Sequence, residues 1–290
     1  MNMNRRRFLT ISAAFAATPA LAQSQGWQGR AFGAEVAIRL SGPDEAVQVA
    51  LHQARKIVSQ MEQRFSLFRP TSELVRLNRQ GRLRPSAPFR ALFGLADTAH
   101  RITGGLFDPT VQPLWHALAV GGDPAEALAL IGWDRLSFDK GTIRLAPGQA
   151  LTFNGIAQGF ATDAVADALA GAGFGKALVN IGEYRATGGD WRLAVEDPQH
   201  GLLATRRLGR GAMATSSPLA TPLGGGGHIL HPRQQPQWST VSVEAESAAM
   251  ADALSTGLVL ADMALIRKVR QMTGVRRIIL VDWQGDLTTL

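Results

Sequence analysis

The chain has 290 residues, 46% hydrophobic and 18% charged, which is enough apolar material for one large or two modest cores and too much for a disordered chain. It contains no cysteine, so disulfides, thiolate zinc sites and cysteine nucleophiles are ruled out. The formal net charge of +7 is scattered along the sequence without an aromatic-lined basic stripe, and no nucleic-acid partner is expected.

Residues 1–22 carry Arg5-Arg6-Arg7, an apolar stretch from Phe8 to Ala17 and a small-residue cleavage site at Ala20-Leu21-Ala22. This is the pattern of an export signal, too short and too rich in alanine to span a bilayer. Arginines placed directly before Phe8-Leu9 fit the twin-arginine type, with a plain secretory signal as the alternative. Either route predicts a periplasmic mature chain of residues 23–290, and removing the three arginines leaves that chain with a charge of +4.

Residues 30–40 alternate well enough for a first strand. Apolar residues then recur at helical spacing from Val47 to Phe65, with Asp44 as the expected N-cap. Pro70-Thr71 separates this helix from a short one containing Leu74 and Leu77, and a third helix is predicted over 88–102, closed by Gly104-Gly105. Helices also follow Asp108-Pro109 and occupy 124–131; strands over 135–139 and 142–146 meet at the turn Lys140-Gly141. The apolar run 151–153 reads as a strand, Asn154-Gly155 as a tight turn, and the following segment as a helix with Phe160, Ala164, Val165, Ala168 and Leu169 on one face. Further strands are expected at 177–181, 191–196, 238–244 and 276–281, with one helix or two between 248 and 273. A helix-rich first half followed by a mixed or antiparallel sheet with helices in the second half predicts an α+β fold.

Four segments have the makings of a reactive site. The strand–turn–helix around Gly155 presents backbone amides at a helix N-terminus, where a phosphate is at home; an ordinary strand-to-helix connection is the alternative. Residues 103–110 place two glycines and an aromatic beside Asp108, an acid fixed by the proline after it, although Asp108 also suits a helix N-cap. Four consecutive glycines, 224–227, suggest a mobile loop or one that a ligand approaches closely, and the adjacent His228 suits a general base. His228 and His231 as zinc ligands would lack a third partner. Asp252 and Thr256 lie four apart on one helical face with Ser255 adjacent, a hard-oxygen set suited to Mg²⁺ or Ca²⁺; an N-capping aspartate with back-bonded hydroxyls is the alternative.

Taken together, these segments resemble the ApbE family of FAD:protein FMN transferases through nearly the whole mature chain. FGAEVAI is similar to the family's opening Met-Gly-Thr strand, FSLFRPTSELVRLN to its Ser-x-Phe/Tyr-x-x-x-Ser-x-Leu-x-x-Leu/Phe-Asn segment, and TGGLFDPTVQPL to its Thr-Gly-Gly-x-Phe-Asp-x-Thr-Val-x-Pro-Leu block. NGIAQGFATD, VNIGEYRATG, MATSS, HILHPR and ADALST follow in the family's order. The resemblance implies an ApbE-like fold and a Mg²⁺-dependent enzyme, with Ca²⁺ or Mn²⁺ as alternative ions. Such an enzyme cleaves the FAD pyrophosphate, attaches FMN to a threonine or serine of an acceptor protein and releases AMP. The implied acceptor carries an FMN-binding domain on a membrane-anchored respiratory electron-transfer subunit. An FAD pyrophosphatase using water in place of the acceptor, and a flavin-binding protein without turnover, are the alternatives.

Carried onto this sequence, the resemblance puts Phe32, Phe68, Leu106, Phe107, Asp108 and Leu230 at flavin-contacting positions and Thr152 and Gln158 at further FAD contacts. Gly155, Asp252, Ser255 and Thr256 fall at metal positions, and His228 falls at the histidine that activates the acceptor hydroxyl. Four residues depart from the pattern. Thr152 replaces a frequent aspartate, which removes a charge and leaves a weaker neutral hydrogen bond. Gln158 replaces lysine or glutamate, His231 replaces the aspartate of His-x-x-Asp-Pro, and Glu183 replaces one glycine of a Gly-Gly pair.

Overall fold

A computed structural model describes residues 25–290, so the export-signal segment 1–22 lies outside the described residues. The alternating stretch expected as one strand is a hairpin, β1 (Gln25–Ala31) and β2 (Ala34–Leu40), folded at Phe32-Gly33. Both turn residues have positive φ, +51° and +82°, the primed turn geometry that matches the twist of antiparallel strands. Glycine adopts this without cost, whereas a phenylalanine there is unusual. The turn is braced by the Phe32 N–H, which donates to Glu62 Oε1 at 3.0 Å.

The helical stripes fold where their spacing predicts. Helix α1 (Asp44–Phe65) buries Val47, Leu51, Val58 and Phe65, although its N-cap is Pro43 and Asp44 is its first residue. Helix α2 (Glu73–Gln80) is capped by the Ser72 hydroxyl and ends at Gly81, and the short β3 (Arg82–Leu83) leads into α3 (Ala87–Ile102). After a 3-10 turn capped by Asp108 come α4 (Gln112–Val120) and α5 (Pro124–Leu128). The hairpin β4 (Ser137–Asp139) and β5 (Thr142–Arg144) pairs with β3 in a small separate sheet.

Residues 151–153 do not form a strand. Their sheet-like partner is a side chain: Asn78 Nδ2 donates to the Leu151 carbonyl and Asn78 Oδ1 accepts the Leu151 N–H, both at 2.8 Å. Phe153 is buried against Phe89 and Phe65, ring centroids 5.5 and 6.2 Å away, which anchors the turn that follows. Then come α6 (Ala157–Gly171), β6 (Ala177–Ile181), β7 (Tyr184–Ala186), and the long hairpin β8 (Trp191–Asp197) with β9 (Gly201–Leu208). Strand β10 (Gly211–Ser216), the minute hairpin β11 (Pro222–Leu223) with β12 (Gly226–Gly227), β13 (Thr240–Ala245), α7 (Ala248–Leu258), α8 (Met263–Arg270), β14 (Val275–Val281) and β15 (Leu287–Thr289) complete the order.

One antiparallel sheet in the order β1-β2-β6-β7-β10-β13-β14-β15 joins the N-terminal hairpin to the C-terminal strands. Because side chains alternate along each strand, the sheet has two distinct faces. Val179, Ile181, Val243, Ile278 and Leu280 meet the helices, whereas Leu178, Met213 and Ile279 meet Leu193, Val195 and Leu208 of the β8–β9 hairpin. Helices α6 and α7 press together so tightly that a Cβ on Gly159 would lie 2.3 Å from the Ala248 carbonyl oxygen. No helix of the described residues is long and apolar enough to cross a membrane.

Candidate active site

A cavity of about 1070 Å³ opens where the β1–β2 turn, the loop after α3, the start of α6, the end of β10 and helix α7 converge. It lies just above the range typical for small-molecule sites, roughly 300–1,000 Å³. Every residue that the resemblance put at a flavin, FAD, metal or catalytic position lines it except Ser255.

The first wall is apolar and rigidly braced. Phe32 projects from the hairpin turn, and Phe68, 61% exposed, stands at the rim. Glu62 ties the two together, accepting the Phe32 N–H with Oε1 and pairing with Arg69, the neighbour of Phe68, at 2.6 Å through Oε2. Leu106 and Phe107 follow the α3 terminus, where the Thr103 hydroxyl donates to the Ala99 carbonyl and accepts the Phe107 N–H. Asp108 does act as an N-cap, its Oδ1 taking the Thr110 N–H at 2.8 Å and the Thr110 hydroxyl at 2.6 Å, and it lines the cavity as well. Thr152 is held by its N–H on the Pro109 carbonyl, and Leu230 comes from the loop after the small hairpin.

The second wall is polar and buried. Asp252 is only 3% exposed, and its Oδ2 accepts the Gly159 N–H at 3.0 Å. It is not an N-cap; Ser247 fills that position on α7. Burial pushes its carboxyl well above the usual carboxylate range, and the nearby charge of Asp163 adds to the shift. Thr256 reaches the cavity one turn later, at van der Waals distance from Gly155, where an added Cβ would come 2.8 Å from its Oγ1. Ser255 lies one layer behind the cavity surface. Its hydroxyl is fully buried, donates to the Asp252 carbonyl and shares a 2.8 Å bond with Ser216 Oγ, which is 3.2 Å from Thr256 Oγ1. Both α7 hydroxyls therefore meet at one oxygen, Ser216 Oγ, and Ser216 itself lines the cavity.

The start of α6 differs from the expected row of open amides. Ile156 and Ala157 both donate to the Phe153 carbonyl, closing the turn on itself, and the Gly159 amide is committed to Asp252. The helix N-terminus thus stabilises the carboxylate of a neighbouring helix. Gln158 lies against Gly182, where a Cβ would come 2.5 Å from its Nε2.

The four glycines form a hairpin. Gly224 and Gly225 take positive φ at its turn and Gly226-Gly227 is strand β12, with Gly227 so close to the Pro218 carbonyl oxygen that a Cβ would lie 2.6 Å from it. This approach hands His228 to the cavity. Its Nδ1 is 2.9 Å from the Pro218 carbonyl oxygen, which can only accept, so Nδ1 carries the proton and Nε2 of the neutral ring is basic. Burial lowers its pKa below the ordinary histidine value, while carbonyls of Pro218 and Thr221 partly offset the shift. His231 does not join it as a ligand: its Nδ1 accepts the Arg233 and Gln234 amides, a turn-closing role that suits the aspartate it replaces. No group of three or more His, Cys, Asp or Glu side chains among the described residues is arranged to hold a metal ion, so any cation here must draw on hydroxyl, carbonyl or ligand oxygens too.

Three functional neighbours were not legible as such. Glu183 lines the cavity, and burial with the Asp252 charge raises its carboxyl well above the usual range. Ser216 links Ser255 to Thr256. Asp163 pins the start of α7, accepting from Ser247 Oγ, Ala248 N and Ala249 N while pairing with Arg185 at 2.7 Å. The signal for Glu183 was its intrusion into a glycine pair; nothing local marked the other two.

A family model described as ApbE family matches residues 32–279. A FAD:protein FMN transferase of Klebsiella pneumoniae (strain 342) is 25% identical over 181 residues, 57% of this chain and 56% of that protein. One of Chlamydia trachomatis serovar D is 31% identical over 141 residues, 43% of this chain and 45% of that protein, so the match spans about half the length of these curated relatives. Among solved structures, the ApbE protein of Thermotoga maritima superposes with a TM-score of 0.81 at 24% identity, and the flavin transferase ApbE of Vibrio cholerae with 0.79 at 22%. Each covers 92% of this chain and 96% of its own, which establishes a shared fold.

Proposed function

This chain belongs to the ApbE family, and on that premise we propose that it is an FAD:protein FMN transferase. In this reading the cavity binds FAD, the bond between the two phosphates breaks, the FMN phosphorus gains a bond to a threonine or serine oxygen of an acceptor protein, and AMP leaves. The observation that carries it is the meeting of a buried carboxylate, a hydroxyl and a tautomer-fixed histidine in one cavity whose opposite wall is aromatic.

The donor set of Asp252, Thr256 and the backbone at Gly155 suits a small hard cation, since it is all oxygen, and the buried Asp252 has no cationic side chain paired with it among the described residues. A divalent ion, Mg²⁺ with Ca²⁺ or Mn²⁺ as alternatives, supplies neutralisation of phosphate charge when bound. The protein's own part is placement. Phe32 and Phe68 offer faces for the isoalloxazine ring, Leu106, Phe107 and Leu230 exclude water around it, and Asp108, Thr152 and Gln158 offer polar contacts to the rest of FAD. His228 Nε2 takes the proton from the acceptor hydroxyl, a step suited to a ring held neutral near pH 7. Ser255 braces Ser216, which lines the cavity beside Thr256.

The twin-arginine pattern before Phe8 supports action in the periplasm, and an exported flavin transferase suits a membrane-anchored electron-transfer subunit as acceptor. Incubation of the purified chain with FAD, Mg²⁺ and an acceptor domain tests the proposal. A fluorescent acceptor band in a denaturing gel, with an FMN mass adduct and one AMP per adduct, is expected. AMP and free FMN without an adduct would instead identify a pyrophosphatase, and unchanged FAD would refute both.

A further inference from the structure

Glu183 is 8% exposed and shares the cavity lining with Asp252, which is 3% exposed. It follows Gly182, whose φ of +89° lets the chain turn sharply between β6 and β7. The carboxylate is fixed on one side only, with Oε2 accepting the Thr215 N–H at 3.1 Å. Thr215 precedes Ser216, whose hydroxyl touches both Ser255 and Thr256, so one short piece of β10 links Glu183 to the hydroxyl face of α7.

Each of the two carboxylates keeps an oxygen that takes no hydrogen bond from the described residues: Oε1 of Glu183 and Oδ1 of Asp252. No arginine, lysine or histidine forms an ion pair with either among the described residues, although arginines elsewhere in the chain pair with Glu62, Asp163 and Glu244. Two acidic groups withdrawn from water this far either hold a proton or share a compensating cation, because an isolated buried carboxylate has lost its hydration. The cavity between them is the place for that cation.

We propose that Glu183 is a second carboxylate ligand of the divalent cation held by Asp252 and Thr256, so that this chain's site carries two formal negative charges. The proposal rests on the reading of Asp252 and Thr256 as a cation site. Its consequence is a cation retained before FAD arrives, since affinity of an oxygen site rises with its count of charged ligands.

Calorimetric titration of the purified chain with MnCl₂ in the absence of FAD tests this, comparing wild type, Glu183→Gln, Glu183→Gly and Asp252→Asn, with a thermal melt of each to verify cooperative folding. Glutamine keeps the size and the acceptor for Thr215, while glycine removes the side chain altogether. Wild type should bind Mn²⁺, Asp252→Asn should lose measurable binding, and both Glu183 variants should bind at least ~10-fold more weakly. Unchanged affinity in the folded Glu183 variants, with binding lost in Asp252→Asn, would overturn the second ligand and leave the cation site standing. Unchanged affinity in Asp252→Asn would overturn both, and wild type that binds no Mn²⁺ without FAD would overturn the proposal.

Discussion

The two walls of the cavity are built on opposite principles. On the Phe32–Phe68 side, apolar groups run from the exposed Phe68 through half-buried neighbours to the buried Phe107, and their backbones are braced by caps and by the Glu62–Arg69 pair. On the α6–α7 side, charged and hydroxyl groups are withdrawn from water and held by one or two hydrogen bonds each. An exposed ring loses some contact area when changed, whereas a buried charge has no substitute. The aromatic wall should therefore tune binding and the polar wall should decide turnover.

Asp252→Ala breaks the polar wall outright. It should lower flavin transfer by ~10³-fold or more, since phosphoryl transfer depends on charge neutralisation. The Gly159 amide loses its acceptor, about 1–3 kcal/mol, so far-ultraviolet dichroism should still report a folded chain. His228→Asn should lower kcat by about 10²–10⁴-fold with little change in KM for FAD, measured by AMP release with acceptor present.

The pH profile refines that expectation. Burial holds the His228 pKa below 6.5, so the ring is in its basic form throughout the neutral range and the acid limb of kcat/KM should fall below 6.5. Because the unfolded histidine binds a proton more readily than the folded one, the same group makes the fold less stable as pH drops from 6.5 through the folded pKa. Thermal melts of wild type and His228→Asn across that window should converge toward acid.

Gly159→Ala tests the seam beneath the polar wall. Its Cβ would meet the Ala248 carbonyl oxygen at 2.3 Å, a backbone atom that cannot swing aside, and the two helices would have to part. A stability loss of about 1–3 kcal/mol is expected in denaturant unfolding, with activity falling alongside. On the aromatic wall, Phe68→Ala should raise KM for FAD by about fivefold, or ~1 kcal/mol of lost ring contact, and leave kcat near wild type. A loss of kcat there would erase the distinction between the two walls.

Much of this architecture is written in spacing. Helices α1, α2 and α3 carry unbroken apolar stripes, strands β6 and β14 are rich in apolar residues, and β13 alternates apolar with polar ones. The short strands were less legible. Gly211–Ser216 is small and buried over most of its length, without alternation, and Tyr184–Ala186 is three residues long. Residues 151–153 look like a strand because they are extended and apolar, yet an amide side chain 73 positions away takes the place of a neighbouring strand. For the site, Asp252 and Thr256 follow from i,i+4 spacing, but the inward turn of Ser255 depends on Ser216, which no local pattern connects to α7. Four glycines in a row could not show by themselves whether they were loose or ordered. The approach of Gly227 to Pro218 decides that, and it exists only in three dimensions.

Asp163 touches nothing in the cavity, yet one carboxylate clips the first turn of α7 to α6 and, through Arg185, to the sheet. The register of every oxygen on that helix is inherited from this knot at its first turn. A screen for inactive variants should recover position 163 among its hits, and their purified products should bind flavin while failing to turn it over. To a geneticist they would look like lesions of the reaction centre, although the damage lies at its foundation.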